Sequence, residues 1–184
     1  EEQEDSQAFL ASAFLLALFL MFVLLVTQFN SFYQALLTLT AVVTATAGVL
    51  LGLLLSGSAF STILTGVGVV ALAGIVVNNN IILIDTFNFL RQTEPHLSIR
   101  EAAVKTCAQR LRPIFLTTAT TILGLVPIAI GVSLDVVTRE IVVDGVVTSY
   151  FRPVAEAIVS GLFFATLMTL FFTPVMLVLP QRLQ

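Results

Sequence analysis

The sequence predicts an all-α membrane protein with five transmembrane helices and an interfacial helix between the third and fourth spans. Three observations predict it. Of 184 residues, 58% are hydrophobic and only 10% charged, with a mean hydropathy of +1.05, whereas soluble domains carry about 25% charged residues. The apolar residues gather into runs long enough to cross a hydrocarbon core, which takes about 20 residues per helix. The basic residues gather between those runs: of eight Lys and Arg, five (Arg91, Arg100, Lys105, Arg110 and Arg112) lie between the third run and the fourth. A soluble globular domain is excluded.

Residues 1–7, opening Glu1-Glu2-Gln3-Glu4-Asp5, read as the end of an extramembrane segment, and 8–184 as the transmembrane bundle. Acidic residues stand where a secretory signal would be basic. The first span covers about 8–29, uncharged and rich in Leu and Phe, and a polar turn from Gln28 to Gln34 follows. The second covers about 35–55, where Thr44, Gly48 and Gly52 recur every four residues. Such a ridge of small residues lets a second helix approach closely. Ser56-Gly57-Ser58 makes the next turn, and the third span, about 60–90, carries Gly74 and three consecutive amides.

Pro95 ends that helix, and Ser98 with Glu101 three residues later fits a capping box that opens another. Ile99, Ala102, Ala103 and Thr106 then form a weakly apolar stripe beside Arg100, Lys105 and Arg110, as in a helix lying at the membrane surface over about 99–110. Pro113 suits the first turn of the fourth span, about 113–131, and Pro127 lies inside it. Residues 134–152 read as a mixed loop with Asp135, Arg139, Glu140 and Asp144. The fifth span, about 154–179, has Glu156 near its start as a helix amino-terminal charge, with Gly161 and Ala165 as close-packing positions.

Basic residues mark the cytoplasmic side of a membrane helix. Counting five spans, the segment 91–112 and Arg182 fall on one side, and the acidic amino terminus and the 134–152 loop on the other. The expected orientation is an outside amino terminus and a cytoplasmic carboxy terminus.

The third span carries the candidate site. An unpartnered amide in an apolar medium costs roughly 2–7 kcal/mol, so Asn78, Asn79 and Asn80 require partners from other segments. At about 100° per residue they fan over some 200°, which marks this span as a central helix enclosed by others. Asn78 and Asn79 are the leading candidates for an ion or proton pathway, which polar residues at mid-depth mark by default. Asp85 returns to the face of Asn78, about 10 Å further along the helix. Thr117, Thr118, Thr120 and Thr121 make the fourth span hydroxylic, and Thr117 lies close after Arg110, where both can join a polar relay. Gly48, Gly52, Gly74 and Gly161 are candidate helix-packing positions. No nucleophile–base arrangement, phosphate loop or metal-ligand spacing is present in the sequence, and His96 stands alone, so neither an enzyme nor a cofactor is expected. Cys107 is the single cysteine, and no basic cluster interleaved with aromatics points to nucleic acid.

Two stretches then become recognisable. Gly74-Ile-Val-Val-Asn-Asn-Asn-Ile-Ile-Leu-Ile-Asp85 and Arg110-Leu-Arg-Pro-Ile-Phe-Leu-Thr-Thr-Ala-Thr-Thr-Ile-Leu-Gly-Leu-Val-Pro127, together with Thr27-Gln-Phe-Asn-Ser-Phe32 and Phe172-Thr-Pro-Val175, resemble the carboxy-terminal half of resistance-nodulation-division transporters of the hydrophobe/amphiphile efflux branch. The resemblance implies that the five spans are the last five of twelve and that the acidic opening is the tail of a periplasmic domain. It implies a proton-driven exporter in the bacterial inner membrane, working as a homotrimer in contact with lipids, a periplasmic adaptor and an outer-membrane channel. The position matching Asn78 is a lysine in the multidrug branch, paired to two aspartates on a helix of the other half; here it is an amide. Asn79 matches a family asparagine, Thr117 a relay threonine, and Arg110 an arginine near the cytoplasmic mouth. The resemblance therefore implies a facing helix, outside this chain, with an acidic pair within reach of Asn78. The competing expectation is a stand-alone five-span structural or assembly subunit of a larger membrane complex, without transport of its own, because 184 residues alone cannot form an alternating-access pathway.

Overall fold

The computed structural model describes residues 2–58, 61–135, 140–143 and 145–179. In chain order these form α1 (Glu2–Phe29), α2 (Phe32–Ser56), α3 (Thr62–Thr93), α4 (Ile99–Ala129), the strands β1 (Val132–Asp135) and β2 (Glu140–Val143), and α5 (Val146–Val178). All five helices are long and apolar enough to cross a membrane. Arg139, Asp144 and Arg182, used in the charge reading, lie outside the described residues.

The helix ends follow from local chemistry. Asn30 takes a left-handed φ of 49° between α1 and α2, a conformation asparagine tolerates better than most residues. Ser31 caps α2 by accepting the Gln34 N–H, and Gly57 closes it with a φ of 65°. At the start of α4 the capping box forms: Ser98 Oγ accepts from the Glu101 N–H at 3.3 Å, and Glu101 Oε2 accepts from the Ser98 N–H at 2.8 Å.

Segment 99–110 is helical and runs without a break into the fourth span, so Pro113 stands inside α4 rather than in a first turn. A proline removes one backbone donor from the ladder. The helix holds through it because both flanks are tied down. Ala102, Ala103 and Ile114 are buried in one cluster, and Thr117 Oγ1 donates to the Pro113 carbonyl at 2.6 Å. Among the described residues, part of the expected loop over 134–152 forms regular structure. Val132 pairs with Val143 and Leu134 with Ile141 in an antiparallel hairpin, as β-branched residues favour, and α5 already starts at Val146 and passes through Pro153. Glu156 is consequently an interior residue of α5, ion-paired with Arg152 one turn back at 2.9 Å.

Lipid removes the hydrophobic drive between helices, so close packing and interhelical hydrogen bonds hold such a bundle. α5 shares the largest interfaces, with α2, α3 and α4, while α3 touches every other helix. One cluster joins Ala41, Ala45, Val49 and Leu53 of α2, Leu72 and Val76 of α3, and Ala157, Leu162 and Ala165 of α5. The small residues make this approach possible. A Cβ on Gly48 would lie 2.5 Å from Phe164 Cβ, one on Gly52 would collide with Ser160, and one on Gly161 would collide with Leu72 and lie 2.6 Å from Val49 Cγ2. α1 is the least enclosed: Leu25 is its one buried residue among those described, and Leu15, Leu16, Phe19 and Leu20 are exposed.

Candidate functional site

α3 presents two kinds of face. Its packed side buries Leu72, Val76, Leu83, Ile84 and Phe87. Its other side leaves Gly74, Asn78 and Asp85 exposed, and these fall within about 60° of one another on a helix. A Cβ built on Gly74 would meet nothing within 4 Å. Gly74 is therefore no packing position within this chain, unlike Gly48, Gly52 and Gly161.

α4 has a matching side. Thr117, Thr120 and Gly124 are exposed, and Gly124 has open space around it. The hydroxyls of Thr117, Thr120 and Thr121 return to carbonyls of their own helix at 2.6 to 3.0 Å, which satisfies them without a second helix. Elsewhere the exposed surface of α2 and α5 is mainly apolar, as at Leu54, Leu55, Phe163 and Phe171, and α3 and α4 add exposed apolar residues of their own at Phe89, Phe115, Leu116 and Leu123. A lipid-facing surface has that character. The exposed strips of α3 with Gly74, Asn78 and Asp85 and of α4 with Thr117, Thr120 and Gly124 do not.

The expected relay residues are distributed unevenly over this geometry. Asn78 is exposed and Asn79 is buried at 6% exposure. Among the described residues no hydrogen bond joins Asn78, Asn79, Asp85 and Thr117 to one another or to a second helix. Arg110, by contrast, is engaged: its Nε donates to Thr86 Oγ1 at 2.6 Å, and Thr86 Oγ1 donates to the Ile82 carbonyl at 2.8 Å. The guanidinium of α4 is thus held against α3 at Thr86, the residue after Asp85 in sequence.

Sequence reasoning missed the amide that is most fully engaged. Asn80 is wholly buried; its Nδ2 donates to the Val76 carbonyl at 3.2 Å and to Thr169 Oγ1 at 3.3 Å, and its Oδ1 accepts from Thr173 Oγ1 at 2.9 Å. The hydroxyls of Thr118 on α4 and Thr166 on α5 pair at 3.0 Å. The signal lay in α5, where Thr166, Thr169 and Thr173 follow at spacings of three and four and so share one face. A second missed pair is the reciprocal bridge of Gln34 and Asn88, each amide donating to the other's oxygen at 2.9 Å.

Five long apolar helices, packed through glycines and threonines and polar along one uncovered face, define a portion of a multi-pass membrane protein. Residues 1–181 match the family described as AcrB/AcrD/AcrF. Two crystal structures of a heavy metal efflux pump, in crystal forms II and I, superpose with TM-scores of 0.79 and 0.78 at 34% sequence identity. They cover 98% and 99% of this chain, and the chain spans 16% of theirs. The chain belongs to the AcrB/AcrD/AcrF family, within the resistance-nodulation-division efflux transporters, and corresponds to part of their membrane domain.

Proposed function

We propose that this chain is the carboxy-terminal membrane portion of a proton-driven exporter and contributes its relay helix, α3. The observation that carries the reading is the uncovered polar face of Gly74, Asn78, Asp85, Thr117 and Thr120. A surface of that composition in a membrane needs polar partners, and the other half of the transporter would supply them as a facing helix with an acidic pair. The function is transport without covalent chemistry.

Asn78 defines how the relay would work. An amide has two N–H donors and a carbonyl acceptor. It donates to an ionised carboxylate, and both donates to and accepts from a protonated one, so it binds either state without itself titrating. Protonation of the facing acids would then rearrange the hydrogen bonds of Asn78, Asn79 and Thr117, moving α3 and α4 relative to the partner half. Arg110, held by Thr86 at 2.6 Å, fixes the end of this track where Asp85 lies. The basic end of the bundle is cytoplasmic, the amino terminus periplasmic and the membrane the bacterial inner membrane. The assembly is a homotrimer with a periplasmic adaptor and an outer-membrane channel.

The test is export from energised vesicles carrying the transporter of which this chain forms part. Collapse of the proton gradient should stop export, and Asn78→Leu should remove most of it while the protein level holds. Export indifferent to the gradient would overturn the reading and leave the chain a structural role.

A further inference from the structure

Asn80 is the amide that the relay reading leaves without a task, yet it is the one of the three with hydrogen bonds among the described residues. It is buried at 0% exposure, and both ends of its amide are used, Nδ2 by Thr169 and the Val76 carbonyl, Oδ1 by Thr173. Two of these three partners are on α5. The neighbouring Thr118–Thr166 pair extends the same polar layer to α4.

We propose that Asn80 is a positioning residue. Its amide clamps α3 to α5 and sets the rotation of α3, so that Asn78 and Asp85 are presented on the uncovered face. Residues two apart on a helix diverge by about 200°, so anchoring Asn80 toward α5 sends Asn78 to the opposite side. Asp85 diverges from Asn80 by about 140° and comes out beside Asn78. Apolar packing is non-directional and loses contact gradually as a helix turns. An amide does not tolerate turning. Its interhelical hydrogen bonds add modestly to stability, but facing hydrocarbon without them costs several times more. A buried asparagine in a coiled coil fixes register by the same asymmetry.

The functional consequence, correct aim of Asn78, rests on the relay reading; the clamp itself does not. The experiment separates the two. In the membrane-embedded protein with Cys107→Ser, single cysteines are introduced at Asn78 and at buried Val76, and their alkylation rates by N-ethylmaleimide are compared. Position 78 lines the polar track, which water must reach for protons to move, whereas Val76 is packed among α2 and α5, so with Asn80 intact position 78 should react at least about tenfold faster than position 76. Asn80→Leu should bring that ratio below about threefold, and the exchange Asn80→Thr with Thr173→Asn, which returns amide and hydroxyl to the pair, should restore it. Thr173→Val removes the donor to Oδ1 alone and should lower the ratio in the same direction, even where Asn80→Leu fails to insert. A ratio near one with Asn80 intact, or a ratio unmoved by Thr173→Val, or by Asn80→Leu where that variant inserts, would overturn the clamp. Export that survives Asn78→Leu while the alkylation ratios behave as described would leave the clamp standing and remove the relay.

Discussion

Gly161→Ala tests whether the close approach of α5 to α2 and α3 holds the bundle together. The added Cβ would collide with Leu72 Cδ2, lie 2.6 Å from Val49 Cγ2 and 3.3 Å from the Ala45 carbonyl. Neither side chain has room to retreat, since Leu72 is 1% and Val49 0% exposed. Overpacking of this kind costs about 1–3 kcal/mol, and the better helix propensity of alanine returns up to about 1 kcal/mol. With the full return, the net expectation is a loss of about 0–2 kcal/mol, and of about 1–3 kcal/mol relative to a glycine whose added Cβ meets nothing. Gly74→Ala is the internal control, because a Cβ there meets nothing within 4 Å. That substitution should leave stability unchanged or raise it by up to about 1 kcal/mol. Equilibrium unfolding in mixed micelles, followed by loss of helical circular dichroism, compares the two variants directly. If Gly161→Ala proved as stable as Gly74→Ala, the tight glycine seam would not be a determinant of this fold.

Three further outcomes follow from the geometry. The Gln34–Asn88 bridge, with both bonds at 2.9 Å, should show a coupling of about 0.6–1.7 kcal/mol in a double-mutant cycle with leucine, the double variant losing less than the sum of the singles because neither leaves an unpaired amide. Ser98→Ala removes one half of the capping box and should cost about 1 kcal/mol, read as faster hydrogen exchange at Glu101 and Ala102 with little change in the middle of α4. Lys105→Met breaks the ion pair with Glu94, whose carboxylate oxygens lie 2.6 and 2.7 Å from Nζ. With the Lys105 side chain 40% exposed, its loss should cost less than about 1 kcal/mol in unfolding measurements.

The spans were legible because each is a long apolar run bounded by turn or capping residues, and Gly48, Gly52 and Gly161 were legible because small residues at helical spacing have few uses in a membrane other than close approach. The continuity of α4 was not. Proline is a strong local signal for a boundary, and only burial of Ala102, Ala103 and Ile114 on both sides of Pro113 shows why the helix persists. The hairpin and the early start of α5 were hidden in a short stretch whose charges suggested a loop. Gly74 carried the same local signature as the packing glycines, and its open surroundings are a tertiary fact. The three amides show the limit most clearly. Their spacing says that they cannot all point one way, but which of them finds a partner depends on the rotation of α3. That rotation is readable only once Thr169 and Thr173 of α5 are seen to meet Asn80.

The distribution of ties also says where motion can occur. α2, α3 and α5 are joined at several levels. Gly48, Gly52 and Gly161 bring them together over one part of their length, Asn80 links α3 to Thr169 and Thr173, and Gln34–Asn88 and the Tyr33 hydroxyl on the Met176 carbonyl link them near the chain turn at Asn30. α4 shares a large interface with α5, but its interhelical ties, the Thr118–Thr166 and Arg110–Thr86 bonds, and its buried side chains lie from Ala102 to Thr118. Beyond Thr118 no residue of α4 reaches the buried class. Breaking few contacts costs little, so local opening starts where contact is thinnest. Within the packed helices, movement should therefore be a shift of the carboxy-terminal part of α4, beyond Thr118, against a block of α2, α3 and α5. That shift would carry Thr120 and Gly124 relative to Asn78 while leaving Asn78 and Asp85 fixed relative to each other, because both ride on the one helix that Asn80 holds in place.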